Sequence, residues 1–203
     1  MSKIITLSRE YGAGGHSIGQ KVAEELGIPL YDKDIMRATM KATGYEKELI
    51  EKEQEERSVG DNILRTISAY SSSYFNDTQD AIFEIQKTII TQFAKEGPCV
   101  ILGRCADVIL AEAGFETLDV FVYADTVHRA MRLSQSDLLN TKDATKIQKM
   151  ITKKDNSRHV YYHHYTGKKW GDSHNYDLML DSGKLGYDLC VKLITMAARE
   201  TVE

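Results

Sequence analysis

The stretch Ile4-Ile5-Thr6-Leu7-Ser8-Arg9-Glu10-Tyr11-Gly12-Ala13-Gly14-Gly15-His16-Ser17 decides the fold. Ile4 to Ser8 is a short β-branched run that reads as a buried first strand. From Ser17 onward, Ile18, Val22, Ala23 and Leu26 fall at helical spacing until Gly27 and Pro29 stop the pattern. Between strand and helix, three glycines in Tyr11-Gly12-Ala13-Gly14-Gly15-His16-Ser17 allow a tight turn. Consecutive amide N–H groups can then converge on a phosphate at the positive end of the helix.

Downstream the same alternation continues. Pro29–Tyr31 reads as a second strand, and Asp32 can cap a helix carrying Ile35, Met36 and Met40 that ends near Gly44. Residues 46–57 are dense in Glu and Lys and read as a solvated face, and Ser68–Asn76 as a loop. Asp77–Lys95 has the pattern of a long amphipathic helix, closed by Gly97-Pro98. Cys99–Leu102, Leu118–Ala124 and Tyr176–Leu180 supply three more strands, and Lys184–Arg199 a closing helix. Strands alternating with helices predict a parallel five-stranded sheet with helices on both faces. Ligands of such sheets gather beyond the carboxyl ends of the strands, where Gly12–Ser17, Asp32, Arg104 and Asp125 would emerge together.

The bulk properties narrow the function classes. At 203 residues the chain is expected to form a single domain, with an insert near 43–80 and a lid near 136–172. A formal net charge of -4 gives no overall attraction to nucleic acid, so any polyanion site must be local. Cys99, Cys105 and Cys190 form no metal-binding or disulfide pattern, and no segment approaches a membrane span or a signal peptide. A cytoplasmic protein without membrane or nucleic-acid partners is the expectation.

Against the nucleotide-binding pattern G-x-x-x-x-G-K-[ST], Gly15 and Ser17 fit, whereas Glu10 replaces the first glycine and His16 the lysine. The stretch from Ser8 to Gly15, followed by Leu26-Gly27 and Tyr31-Asp32-Lys33, resembles the start of the cytidylate kinase-like family. The resemblance continues through Val100-Ile101-Leu102-Gly103-Arg104-Cys105-Ala106-Asp107, Phe121-Val122-Tyr123-Ala124 and Tyr176-Asp177-Leu178-Met179-Leu180. It implies an α/β fold, a P-loop NTPase-type three-layer sandwich with a helical acceptor-side insert and a lid. The implied activity is phosphoryl transfer from ATP, with Mg²⁺, to a small phosphorylated acceptor such as the nucleoside monophosphate CMP.

By that resemblance the backbone of Gly12, Ala13, Gly14, Gly15, His16 and Ser17 holds the donor phosphates, and the Ser17 hydroxyl meets the metal. Arg104 clamps the acceptor phosphate, with Asp32 and Arg37 as further acceptor contacts. Lys153, Lys154, Asp155 and Arg158 resemble the basic lid. Arg104, His16 and Arg158 are the candidate catalytic residues. Leu102 and Cys105 stand where cytidylate kinases carry aspartates beside the Gly-Arg pair, so base recognition does not transfer.

Several alternatives stay open in the sequence. Asp32 either contacts the acceptor or merely caps a helix, and Asp107, Asp125 and Asp177 are equal candidates for a metal-side carboxylate. Tyr161-Tyr162-His163-His164-Tyr165 with Lys168, Lys169 and Trp170 is either a hydrophobic lid base or a stacking surface for single-stranded nucleic acid. Cys105 beside Arg104 is either a reactive thiol or a buried filler. The helix from Asp77 either pairs two copies in a homodimer or covers the sheet. The alternative function is a nucleotide-binding regulatory module without turnover, because the lysine of the loop is missing.

Overall fold

The computed structural model describes residues 3–44, 73–136 and 141–200. The Glu- and Lys-dense stretch 46–57, and with it most of the expected insert, lies outside the described residues. The chain runs β1 (Ile4–Arg9), α1 (Gly15–Leu26), β2 (Leu30–Tyr31) and α2 (Lys33–Thr43). It resumes with α3 (Ser73–Glu96), β3 (Val100–Leu102), α4 (Ala106–Glu112), β4 (Thr117–Tyr123) and α5 (Thr126–Gln135). It finishes with α6 (Ala144–Thr166), β5 (Leu178–Asp181), α7 (Ser182–Leu185) and α8 (Tyr187–Arg199).

The five strands form one parallel sheet in the order β2-β3-β1-β4-β5. β1 is central: Ile5 pairs with Val100 of β3 on one side and with Leu118 of β4 on the other. Chain order reverses across β1, which opens a crevice at its carboxyl end. The period of two along β1 sends Ile5 and Leu7 to one face, where Ile18, Val22, Val191 and Ile194 of α1 and α8 cover them. On the other face Ile101 packs with Ile35, Ile90, Ile109 and Tyr162 from α2, α3, α4 and α6. Thr6, also buried, donates from Oγ1 to Asp119 Oδ1 at 2.6 Å, which gives the pair a partner inside the protein.

Two boundaries differ from the expectation. Helix α3 begins at Ser73, so the second half of the supposed loop Ser68–Asn76 is helical, while 68–72 lie outside the described residues. That half contains no Gly or Pro, and helix elongation from the amphipathic segment behind it is favourable once nucleated. The closing helix is split: α7 stops at Gly186, whose φ of 72° and ψ of 163° no helix accommodates, and α8 restarts at Tyr187.

Candidate functional site

The glycine-rich turn leaves β1 and enters α1 through Gly12 (φ 85°) and Gly14 (φ 86°), both left-handed. A side chain at either position would be strained, and an ideal Cβ on Gly14 would lie 2.5 Å from Tyr187 Cζ. The first intrahelical bond runs from Ile18 N to the Gly14 carbonyl at 3.0 Å. The amides of Gly15, His16 and Ser17 precede it and have no partner within the helix, the arrangement that suits an anion. Ser182 Oγ fixes the turn from below by donating to the Ala13 carbonyl at 2.6 Å.

Glu10, the departure from the usual first glycine, is part of this scaffold. Its Oε2 accepts from Ala124 N at 3.2 Å and lies 3.5 Å from Arg129 Nε. Burial raises its pKa, opposed by the Ala124 amide and by Arg129. Arg129 is itself buried and donates to Asp155 Oδ2 at 2.5 Å and to the Tyr11 carbonyl at 3.3 Å. Asp155 accepts in addition from Tyr11 N at 2.8 Å. One ion cluster thus joins the loop, α5 and the long helix α6. Arg129→Met leaves two carboxylates facing a neutral side chain, and an expected loss of about 3–5 kcal/mol follows. Denaturant unfolding checks it, since a loss below about 1 kcal/mol would mean that the cluster does not hold the helices together.

On the other side of the loop lies a cavity of about 270 Å³. Arg9, Arg104, Arg158 and Lys154 line it, together with Asp32 and the rings of Tyr161, Tyr162 and Trp170. Asp32 sits at the N-cap of α2 but makes no side-chain capping bond. Its carboxylate instead lies 3.3 Å from Arg104 Nη1 and 3.2 Å from His16 Nδ1. Burial alone would raise its pKa, yet Arg9, Arg104 and His16 together hold it below the ordinary carboxylate range. Burial and the neighbouring Arg158 lower the pKa of Arg9 to about 9, with Asp32 opposing and Arg104 reinforcing the shift. Among the described residues, the cavity lining brings three arginines and one lysine together with the Asp32 carboxylate.

Arg104 owes its position to an unusual turn after β3. Gly103, Arg104 and Cys105 have φ of 68°, 56° and 55°, three left-handed residues in succession, two of them not glycine. The Arg9 guanidinium leaves no room for a Cβ at residue 103, which accounts for the glycine. Such strain is retained where the surroundings over-determine it, and functional sites collect it.

The structure brings together only part of the set singled out in the sequence. Asp32, Arg104, Lys154 and Arg158 line the cavity, and His16 reaches its edge through Asp32. Arg37 does not: it pairs with Asp34 at 3.3 Å and is 72% exposed, because it occupies the outer face of α2. Lys153 is exposed and lines no part of the cavity, whereas Lys154, the next residue on α6, faces inward. Asp155 is an anchor of α6 rather than a cavity group. Arg9, Arg129 and Arg132 went unsingled in the sequence. Arg9 stands at the end of β1 just before the glycine turn, and Arg129 and Arg132, three apart on one helix, share the face that contacts the loop.

The open alternatives resolve through packing. Tyr162 is buried and donates to Asp107 Oδ2 at 2.6 Å, while Phe83 stacks on Tyr165 at 3.9 Å and Phe121 meets Trp170 edge-on at 5.1 Å. The aromatic stretch is therefore a packed base for α6 and not an open stacking surface. Cys105 is buried and its thiol pKa is pushed well up by desolvation, which removes the reactive-thiol reading. Asp107 serves Tyr162, Asp125 caps α5 by accepting from His128 N at 2.8 Å, and Asp177 accepts from Asp119 N at 2.8 Å. Each has a structural task in the fold.

No group of three or more His, Cys, Asp or Glu side chains that could hold a metal occurs among the described residues. The chain offers Ser17 Oγ at the loop and the Asp32 carboxylate beside it through His16. That sparse oxygen set fits Mg²⁺, which keeps several waters and takes further ligands from substrate phosphates. No described helix is long and apolar enough to cross a membrane.

Comparison with known proteins bears on the family and the fold. An uncharacterized protein from Eubacterium ventriosum superposes with a TM-score of 0.70 at 25% identity, over 98% of this chain and 99% of its own. Shikimate kinase from Bacteroides thetaiotaomicron gives a TM-score of 0.57 at 13% identity, over 97% of this chain and 96% of its own. A gluconokinase from Sinorhizobium meliloti gives 0.51 at 13% identity, over 97% and 94%. The two kinases share the P-loop kinase fold with this chain. No curated protein matches the sequence significantly. The profile of the cytidylate kinase-like family matches residues 4–184, and the chain belongs to that family.

Proposed function

We propose that the chain transfers a phosphoryl group from ATP to a small phosphorylated acceptor, a nucleoside monophosphate such as CMP. Membership of the cytidylate kinase-like family supports a kinase-type, nucleotide-dependent phosphotransferase. The observation that carries the acceptor is the cavity beside the loop, whose described lining gathers Arg9, Arg104, Arg158 and Lys154 around Asp32. Guanidinium groups match phosphate oxygens two at a time, which suits an anionic occupant.

In this reading the amides of the Gly12–Ser17 turn hold the donor phosphates, and Ser17 is the protein ligand of Mg²⁺. When bound there, Mg²⁺ would supply positive charge against the donor phosphates. Arg104 and Arg9 hold the acceptor phosphate, while Arg158 lies near both sites: its Nη1 donates to the Arg9 carbonyl at 2.7 Å. Catalysis then consists of positioning two anions and offsetting their repulsion, with no covalent intermediate. The rings of Tyr161, Tyr162 and Trp170 exclude water from the acceptor side.

The engagement of His16 with Asp32 favours a second reading, a nucleotide-binding regulatory module with little turnover, because the side chain at the lysine position is then turned to Asp32 and not to the donor phosphates. Both readings expect ATP or ADP to bind. A coupled assay for ADP release, run across the nucleoside monophosphates with Mg²⁺ and ATP, separates them. Acceptor-dependent ADP release with CMP is the expected result. Nucleotide binding without turnover on any nucleoside monophosphate, phosphorylated sugar or amino alcohol leaves the regulatory reading standing instead.

A further inference from the structure

The donor loop lacks its lysine, and His16 in that place turns Nδ1 toward Asp32 with half of its side chain exposed. A different cation lies on the loop. Arg132 donates from Nη2 to Ser17 Oγ at 3.2 Å and from Nη1 to the Gly12 carbonyl at 3.5 Å. Its guanidinium also lies 5.4 Å from the centre of the Tyr187 ring, the ring that closes over Gly14. Among the described residues no carboxylate pairs with Arg132, whereas Arg129, one turn earlier on α5, has both Glu10 and Asp155.

The placement of this charge is fixed by the fold. Gly12 approaches α5 so closely that a Cβ there would lie 2.9 Å from Leu133 Cδ1 and 3.2 Å from Arg129 Cβ. Leu133 is buried against Ile147 and Ile151 of α6, so α5 cannot retreat from the loop. Arg132 is therefore a permanent cation held over Gly12 and Ser17 by two neutral oxygens. Phosphate oxygens would make charge-assisted bonds about twice as strong as those.

Resting on the donor-site reading above, we propose that Arg132 supplies to the donor's terminal phosphates the positive charge that a lysine at position 16 would provide. The histidine and the arginine are then a matched exchange: the charge has moved from the first turn of α1 to the facing side of α5. A guanidinium stays protonated throughout the working pH range, so the exchange places a permanent charge on the loop while His16 is turned to Asp32. The two neighbouring N–H groups now on Ser17 and Gly12 can turn to two phosphate oxygens without a change in backbone.

Calorimetric titration of Mg²⁺-ATP tests it on four proteins: the natural chain, R132M, R132K and the double variant H16K/R132M. The natural chain binds, R132M loses about 100-fold in affinity, and R132K loses less. H16K in the R132M background regains at least about tenfold, a repair that a purely structural arginine would not show. Thermal melts of each variant establish that it is folded. Wild-type affinity in R132M overturns the proposal, and so does a loss that H16K leaves unrepaired in folded protein. Absence of binding by the natural chain overturns the donor-site reading itself, and the role of Arg132 falls with it.

Discussion

Gly14→Val is expected to abolish ATP binding, with a loss of at least about 100-fold in affinity, or roughly 2.7 kcal/mol. Three effects act in the same direction. Valine at φ 86° is strained by about 1–3 kcal/mol, since its branched side chain crowds the left-handed backbone. The new Cβ would stand 2.5 Å from Tyr187 Cζ, so the ring or the loop must shift. The branched side chain would also stand in the turn where the phosphates are expected to sit. The Tyr187→Ala background relieves the ring contact alone and leaves the backbone strain and the occupied turn. ATP titration of Gly14→Val in both backgrounds, with melting curves alongside, checks the argument. Affinity within a factor of three of the natural chain in a folded variant would show that the loop does not hold the nucleotide.

Arg104→Gly should separate activity from stability. Loss of the guanidinium removes up to two charge-assisted bonds to the acceptor phosphate, each worth about 1.5–3 kcal/mol, so the acceptor KM rises by about 100-fold or more. ATP affinity changes little, because the donor turn is built on different residues. Stability stays within about 1 kcal/mol of the natural chain: the ion pair with Asp32 is lost, but the left-handed strain at residue 104, about 1–2 kcal/mol, goes with it. Arg104→Ala keeps that strain and is expected to melt at a lower temperature than Arg104→Gly at equal loss of acceptor use. Steady-state kinetics with varied acceptor and varied ATP, plus differential scanning calorimetry, give every quantity needed. Equal losses for both ligands would remove Arg104 from the acceptor site.

The fold was legible because its signals are local. The β-branched run Ile4–Ser8, the glycine turn and the helical spacing from Ile18 to Leu26 each depend on near neighbours, and β1, α1 and the turn appear where those signals stand. The resemblance across the later strands extended the reading to the whole sheet, and the family match over residues 4–184 bears it out. Boundaries drifted where propensity is weak: Ser73–Asn76 joined a helix because the strong segment behind it propagates, and Gly186 cut one helix into two. Those errors leave the architecture intact.

The site divides differently. A sequence names residues able to bind phosphate, but whether a side chain turns inward depends on which face of its element the packing buries. Arg37 and Arg104 are alike in charge, yet one sits on the outer face of α2 and the other on a left-handed turn beneath the cavity. Lys153 and Lys154 are consecutive, and the 100° step between them on α6 sends only one to the cavity.

By itself, then, the sequence determined that a parallel α/β sheet carries a glycine turn at the end of its first strand, since strand, turn and helix propensities are properties of a few adjacent residues. Only the tertiary structure decided which cations surround that turn. Arg9 comes from a strand end more than a hundred residues before the two helices that carry Arg132 and Arg158, and charge density at a point is set by distances in space that no local pattern encodes.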